Sequence, residues 1–143
     1  MTTIDPDPEE SAYEQLQYYT LSHGHPDFIH QHVVDAWAAQ HADEDTKPIG
    51  ITFALVGLFL HQEKGLSGRQ VQKIHMRLAR HRGDWPSFPL PGDRGSMTAV
   101  AVMNAPEGEE RDRAIDAWCA SVWKAFEESH QVVVDLLRQH SVI

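Results

Sequence analysis

The chain has 143 residues, which predicts one domain that is long enough to bury a core. Its 12 Lys and Arg residues against 21 Asp and Glu residues give a net charge of -9, and this balance argues against a protein that binds the phosphate backbone of nucleic acid. The single cysteine excludes a disulfide framework and a cysteine zinc site.

The N-terminal segment 1–9 is acidic and contains two prolines, so we expect a disordered tail before a helical domain over 10–143. This segment has neither a basic start nor an apolar centre, so it is not a signal peptide. The longest apolar run, 49–60, is shorter than the roughly 20 residues that a membrane span needs. We therefore expect no membrane segment and a cytoplasmic location.

Apolar side chains recur at helical spacing along most of the chain, without strand-like alternation. The pattern predicts helices over 10–22, 26–42, 48–64, 67–81 and 109–139, with a short turn over 98–102. Ser67 and Gln70 fit a capping box at the start of the fourth helix. The third of these helices is apolar on all sides, which is typical of a helix at the centre of a bundle. We therefore predict an all-α fold, a single-domain bundle of about five helices.

A loop rich in proline and glycine follows the fourth predicted helix. Residues 83–95 contain three prolines and three glycines, a composition that ends helices. The same loop carries the apolar side chains of Trp85, Phe88 and Leu90. We expect these three side chains to lie on the bundle as a lid.

The ten histidines of the chain are its strongest functional signal. Imidazole is the commonest protein metal ligand and the side chain that titrates nearest neutral pH. His75 and His130 fall on the apolar stripes of their predicted helices. His32 and Asp35 are three residues apart and share one helix face. His30 lies at the margin of this inward set.

Imidazoles and a carboxylate that converge from separate helices are how helical bundles build metal sites. Mixed nitrogen and oxygen ligands suit Zn, Ni, Mn or Fe, so we predict a site for one such divalent ion. Its candidate ligands are His30, His32, Asp35, His75 and His130. The alternative is that these histidines are core or boundary side chains, each hydrogen-bonded to a carboxylate or a carbonyl.

Four segments carry a resemblance to a known family: Phe28 to His41, Gly68 to His75, Trp85-Pro86, and Ala117 to Phe126. The most specific pieces are Asp-Ala-Trp…Gln-His within the first segment and Trp…Val-Trp within the last. Over nearly all of 13–138, the sequence resembles a bacterial all-helical domain family of unknown function. The resemblance implies a helical fold and brings no catalytic activity with it.

The resemblance also bears on the metal ligands. The family pattern is matched here at His30, Asp35, Gln40, His41 and His130. It therefore favours His30 as a ligand, whereas helical geometry with Asp35 favours His32, and both stay candidates. The pattern also has a histidine in the third helix, where this chain has Ala54, so one candidate ligand of the family is missing.

Two functions remain open from the sequence. One is a metal-binding helical bundle that takes a small-molecule ligand, with or without catalysis. The other is a non-catalytic protein-interaction module, a homodimer whose histidines are structural and whose interface comes from the last helix and the aromatic loop. A pocket for an apolar ligand or haem, and a pH response of buried neutral histidines, also stay open.

Overall fold

The computed structural model describes residues 7–24, 26–81 and 84–143. The helices in chain order are α1 (Pro8–Ser22), α2 (His30–Gln40), α3 (Pro48–Lys64), α4 (Gly68–Leu78), α5 (Ala99–Asn104), α6 (Glu109–Ala125) and α7 (His130–Gln139). The predicted all-α, single-domain fold is confirmed, but the described ranges form seven α-helices where about five were expected. None of these helices is long and apolar enough to cross a membrane.

The apolar helix α3 lies at the centre, in contact with α2, α4, α6 and α7. Every residue from 54 to 60 is buried, so the helix has no face left for solvent along this stretch. Pro48 occupies its first turn, where the missing N–H costs nothing, and Gly65 ends it with a left-handed φ of 66°. The prediction of a central apolar helix over 48–64 is confirmed.

Helix α1 begins at Pro8, two residues before the predicted start. Asp7 caps it by accepting a hydrogen bond from the backbone N–H of Glu9 at 2.9 Å. The Glu9 carboxylate in turn accepts from the backbone N–H groups of Ala99 and Val100 at the start of α5. The acidic N-terminal end of α1 is therefore tied to the bundle, and residues 1–6 of the predicted tail lie outside the described residues.

The second helix is shorter than predicted, because it begins at His30 and not at residue 26. Phe28 has a φ of 53°, in the left-handed region that interrupts a helix. This turn is pressed against the start of α4: a Cβ on Gly68 would lie 1.8 Å from the Phe28 carbonyl oxygen. The Arg69 N–H donates to the Asp27 carbonyl at 3.1 Å. A tertiary contact therefore sets the start of α2.

The single helix predicted over 109–139 is wrong. Helix α6 ends at Ala125, the 3₁₀ turn Glu127–Ser129 follows, and α7 begins at His130. The ring of His130 stacks on Trp123 at 3.6 Å, and its Nε2 lies 2.7 Å from the Trp123 carbonyl. The histidine thus gives the Trp123 carbonyl a second partner at the break, beside the Phe126 N–H. Helix α4 also ends early, at Leu78 where 81 was predicted, although its predicted Ser-Gln capping box is confirmed.

The lid loop lies on the bundle with two of its three predicted side chains. Trp85 contacts the ring of Phe53 edge-on, with 5.4 Å between centroids, and Phe88 is buried. Leu90 is 37% exposed and is the least covered of the three. Arg94 fastens the far end of the loop by donating from Nη1 to carbonyls at the end of α2. Gly83, at the start of the predicted loop, lies outside the described residues.

Candidate functional site

A line of polar side chains is buried or half-buried where α2 packs against α3 and α4. We call this line the polar seam, and its members are Gln31, His32, Asp35, His61 and His75. Helix α3 supports it through three residues spaced four apart, which share one helix face. These residues are Phe53, Gly57 and His61.

Asp35 is the acid of the seam, and only 3% of its surface is exposed. Its Oδ1 accepts a hydrogen bond from Gln31 Nε2 at 3.1 Å. Its Oδ2 is buried and has no hydrogen-bond partner among the described residues. Burial raises the pKa of this carboxyl well above its ordinary value, and the hydrogen bond from Gln31 opposes that shift only in part. The surroundings of Asp35 therefore favour its protonated form.

The carboxyl of Asp35 fits into α3 because residue 57 is glycine. A Cβ at this position would lie 1.9 Å from Asp35 Oδ2, well inside van der Waals contact. A glycine in a helix interior costs about 1 kcal/mol relative to alanine. At this contact, a buried acid with one unpartnered oxygen therefore meets a residue that weakens its own helix. Local costs of this kind concentrate at functional sites.

His75 lies on the other side of Gln31, at the end of the seam nearest the lid. Its Nδ1 is 3.4 Å from Gln31 Nε2, so the Gln31 amide lies between this imidazole and Asp35. Its Nε2 is buried without a partner in the described part of the chain. The ring stacks on Phe53 at 5.3 Å, and Trp85 covers Phe53 from the other direction. Burial lowers the pKa of His75, against a smaller opposing effect of the Phe53 carbonyl.

His32 occupies the opposite end of the seam. It is 3% exposed, and its ring stacks on His61 with 3.6 Å between centroids and 16° between planes. Burial, and then the neighbouring His61, lower the pKa of His32 to about 3, while Asp116 opposes the shift. His61 Nε2 lies 2.9 Å from Asp116 Oδ1. Because imidazole lone pairs lie in the ring plane, two stacked rings do not converge on one ion between them.

The other two predicted ligands each have a partner of their own. His30 Nδ1 is 2.9 Å from the Thr20 hydroxyl, and burial lowers the pKa of this half-buried imidazole. His130 is held against Trp123 at the break between α6 and α7. Both environments fit the alternative of structural histidines that the sequence left open.

The five predicted ligands do not surround one point. In 7–24, 26–81 and 84–143, no group of three or more His, Cys, Asp or Glu side chains is placed to hold a metal ion. Asp35 and His75 are brought together through Gln31, whereas His30 and His130 have contacts elsewhere. A metal site therefore stays a prediction, and its possible location is limited to the polar seam.

Unmet hydrogen bonding is concentrated in the polar seam. Four buried side-chain nitrogen or oxygen atoms of the described residues have no partner, and three belong to the seam. These are His32 Nδ1, Asp35 Oδ2 and His75 Nε2; the fourth is Ser129 Oγ. Folded proteins satisfy the large majority of buried polar groups, so such a concentration points to an ion, a water or a ligand at the seam.

Sequence reasoning missed Gln31, Gly57 and His61. One signal was present, because Gln31 precedes Asp35 by one helical turn and glutamine–aspartate pairs at this spacing interact. Gly57 stands inside an otherwise apolar helix, where an isolated glycine indicates a close approach of another group. The role of His61 had no sequence signal, since it depends on the packing of α2 against α3.

The most specific residues of the family resemblance form a structural contact beside the seam. Trp118 Nε1 donates to Gln40 Oε1 at 2.8 Å, and Gln40 Nε2 donates to the Met97 carbonyl at 2.7 Å. Gln40 therefore joins α2, α6 and the segment before α5. Nearby, the ring of Trp37 stacks between Tyr13 and His41. These contacts explain the pattern as a requirement of the fold.

Comparison with known proteins places the chain in a family and gives no activity. No curated protein and no solved structure matches the sequence. The sequence model of one family, described as a family of unknown function (DUF5946), matches residues 10–127. This span is most of the chain, and it contains α2 to α6 with the whole polar seam. The protein therefore belongs to the family of unknown function DUF5946.

Proposed function

We propose that the protein binds one divalent metal ion at the polar seam, through Asp35 and His75. The observation that carries the proposal is the unpartnered Oδ2 of Asp35, which lies in the space left by Gly57. A buried carboxylate is costly unless it is paired or coordinates a metal. A cation at this oxygen would stabilise the ionised form that burial alone disfavours.

The donor set supports a first-row divalent ion. Asp35 supplies a carboxylate oxygen and His75 an imidazole nitrogen, a combination that suits Zn, Mn, Fe or Ni. Gln31 donates to Asp35 Oδ1 and would orient the carboxylate. Two protein ligands leave coordination positions for water or for a small molecule, beneath Phe53 and Trp85. We assign binding, and no reaction, to this site.

Elemental analysis by mass spectrometry tests the proposal. Untagged protein, purified without chelator or added metal, should carry close to one Zn, Ni, Mn or Fe ion per chain, and Asp35→Asn should lose it. The matched control is Asp135→Asn, because Asp135 accepts from Gln131 four residues earlier just as Asp35 accepts from Gln31, but on an exposed face. Metal-free protein that takes up no added ion, or equal metal content in Asp35→Asn, would rule the site out.

A second candidate function, a homodimeric interaction module, is favoured by a different observation. Helix α1 exposes two large apolar side chains three residues apart: Tyr18 is 76% exposed and Leu21 is 55% exposed. They share one helix face and offer apolar surface to a second copy. Sedimentation velocity should then give a dimer that Leu21→Gln weakens. A monomer at all protein concentrations would exclude this function.

A further inference from the structure

A cavity of about 400 Å³ lies between α1 and the start of α6, separate from the polar seam. We call its exposed lining residues Glu14, Tyr18 and Glu107 the walls, and its buried lining residues Tyr19 and Arg111 the floor. We propose that this cavity binds a small organic ammonium ion with an apolar body. This inference does not depend on the proposed metal site.

The floor of the cavity is not built to receive an anion, because Arg111 is already engaged. The residue is 7% exposed, and its Nε and Nη2 donate to the carbonyls of Ala105 and Met103, each at 3.1 Å. Its guanidinium lies over the Tyr19 ring, 4.7 Å from the centroid. The remaining nitrogen, Nη1, is 3.7 Å from a carboxylate oxygen of Glu107. Carbonyls, a ring face and a carboxylate thus compensate this charge.

The walls, by contrast, carry negative charge and an open aromatic face. Glu14 and Tyr18 are one helical turn apart on α1, and neither side chain makes a hydrogen bond within the described ranges. The Glu107 side chain is 71% exposed. The lining carries two carboxylates, the Arg111 guanidinium and the His23 imidazole, so with His23 neutral the carboxylates outnumber the cations, and the chain as a whole has a net charge of -9. The negative charge of the cavity and that of the whole chain both attract a cation.

The remaining lining selects an ammonium ion with an apolar body over a simple metal cation. Tyr18 lines the cavity and is 76% exposed, so its ring is open to an organic cation, which the ring quadrupole attracts. Tyr19 and Met103 add apolar surface beneath it. The volume falls within the range of small-molecule pockets, roughly 300–1,000 Å³. A one-ring amine therefore matches the cavity in charge, chemistry and size.

Titration with three probes that share one ring tests the inference. The probes are phenethylammonium, 2-phenylethanol and 3-phenylpropanoate, added at millimolar concentration to the full chain with a chelator present, so that no metal at the seam contributes. Amide chemical shifts in two-dimensional NMR report the binding and its place. We expect phenethylammonium to shift amides of α1 and of the turn before α6, the alcohol to bind more weakly, and the carboxylate not to bind.

Charge-neutral variants then locate the determinant. Glu14→Gln and Glu107→Gln should each weaken phenethylammonium binding about three- to fivefold, the usual effect of an exposed charge or cation–π contact. Glu128→Gln, an exposed acid outside the cavity, should leave the affinity unchanged. Preferential binding of the carboxylate, unchanged affinity in both cavity variants, or no binding of any probe would each overturn the inference.

Discussion

At the scale of single residues, Asp35 is a group that the metal-free fold tolerates at a cost. It is buried, and one of its oxygens has no partner among the described residues. Its folded pKa is raised above the unfolded value. Such a group contributes stability below its unfolded pKa, and the contribution is lost as pH rises through the folded pKa. Without metal, the Asp35 carboxyl therefore costs the protein stability as pH rises above its ordinary pKa of 3.8.

Asp35→Asn should stabilise the metal-free protein, because an amide has no charge to bury. We expect a gain near pH 8 of about 1.4 kcal/mol for each unit by which burial raises the Asp35 pKa, and a smaller difference near pH 4. Urea unfolding with a chelator present measures both values. The exposed counterpart Asp135→Asn should change neither. Lower stability of Asp35→Asn at pH 8 would contradict the assignment of a costly buried acid.

Gly57 is the partner of Asp35 in this contact, because the absence of a side chain at residue 57 leaves room for the carboxyl. An alanine would improve the helix by about 1 kcal/mol but would place its Cβ 1.9 Å from Asp35 Oδ2. We expect Gly57→Ala to lose about 1–3 kcal/mol of stability through overpacking, and most of this loss to disappear in an Asp35→Ala background. A double-mutant cycle measured by urea unfolding gives the coupling.

The control for this cycle is Gly50→Ala in the first turn of the same helix. A Cβ there would meet only Thr46 Cγ2, at an ordinary 3.7 Å. The change should therefore be neutral or slightly stabilising, as expected from helix propensity alone. Equal effects at positions 50 and 57, or no coupling with residue 35, would show that Gly57 does not make room for the acid.

At the scale of helices, the contact between α2 and α3 should respond to acid. His32 has a folded pKa of about 3 against an ordinary value of 6.5. A depressed pKa contributes stability above the unfolded value and loses it as pH falls toward the folded one. The metal-free protein should lose about 1–2 kcal/mol from this residue between pH 6.5 and 5. Thermal unfolding across that range measures the slope.

A phenylalanine at position 32 separates this effect from the other titrating groups. Phe can keep the stacked contact with His61 but takes up no proton, so His32→Phe should flatten the slope below pH 6.5. Some slope should remain, because burial also lowers the pKa values of His30 and His75. Asp35 acts in the opposite direction, because its raised pKa makes the protein more stable as pH falls. Equal pH slopes of the parent chain and His32→Phe would therefore contradict the prediction.

The same scale shows what sequence patterns could and could not predict. Helices α3 and α4 carry their own signals, a continuous apolar stretch and a Ser-Gln capping box, and both were predicted. The late start of α2 was not, because Phe28 takes its left-handed conformation against Gly68, which is distant in sequence. The break after Ala125 was hidden because apolar periodicity continues across it.

The candidate site, too, was predictable from the sequence only in part. The spacing of His32 and Asp35 places both on one helix face, although it does not show which face points inward. Both side chains are buried, as expected of the inward set. The partners of these residues come from α3 and α4, and no local pattern gives the approach of helices. Gly57 was visible only as an unexplained glycine, and its role became clear once Asp35 was placed beside it.

At the scale of the whole molecule, the polar seam joins three helices and the lid. Asp35 comes from α2 and His75 from α4, while Phe53 on the central helix contacts both His75 and Trp85. An ion held by these two ligands would link α2 to α4. Because the unfolded chain lacks this arrangement, such binding would stabilise the whole fold and not one helix alone.

Metal should therefore raise the melting temperature of the entire domain. At a free ion concentration about a hundredfold above Kd, the expected gain is about 2.7 kcal/mol, or about 5–10 °C for a chain of this size. Scanning calorimetry of chelator-treated protein, before and after addition of Zn, Mn, Ni or Fe, measures the shift. Asp35→Asn should abolish it and Asp135→Asn should keep it, since only the first removes a proposed ligand. The two substitutions separate a specific site from loose binding to the ten histidines, because loose binding would shift both variants equally.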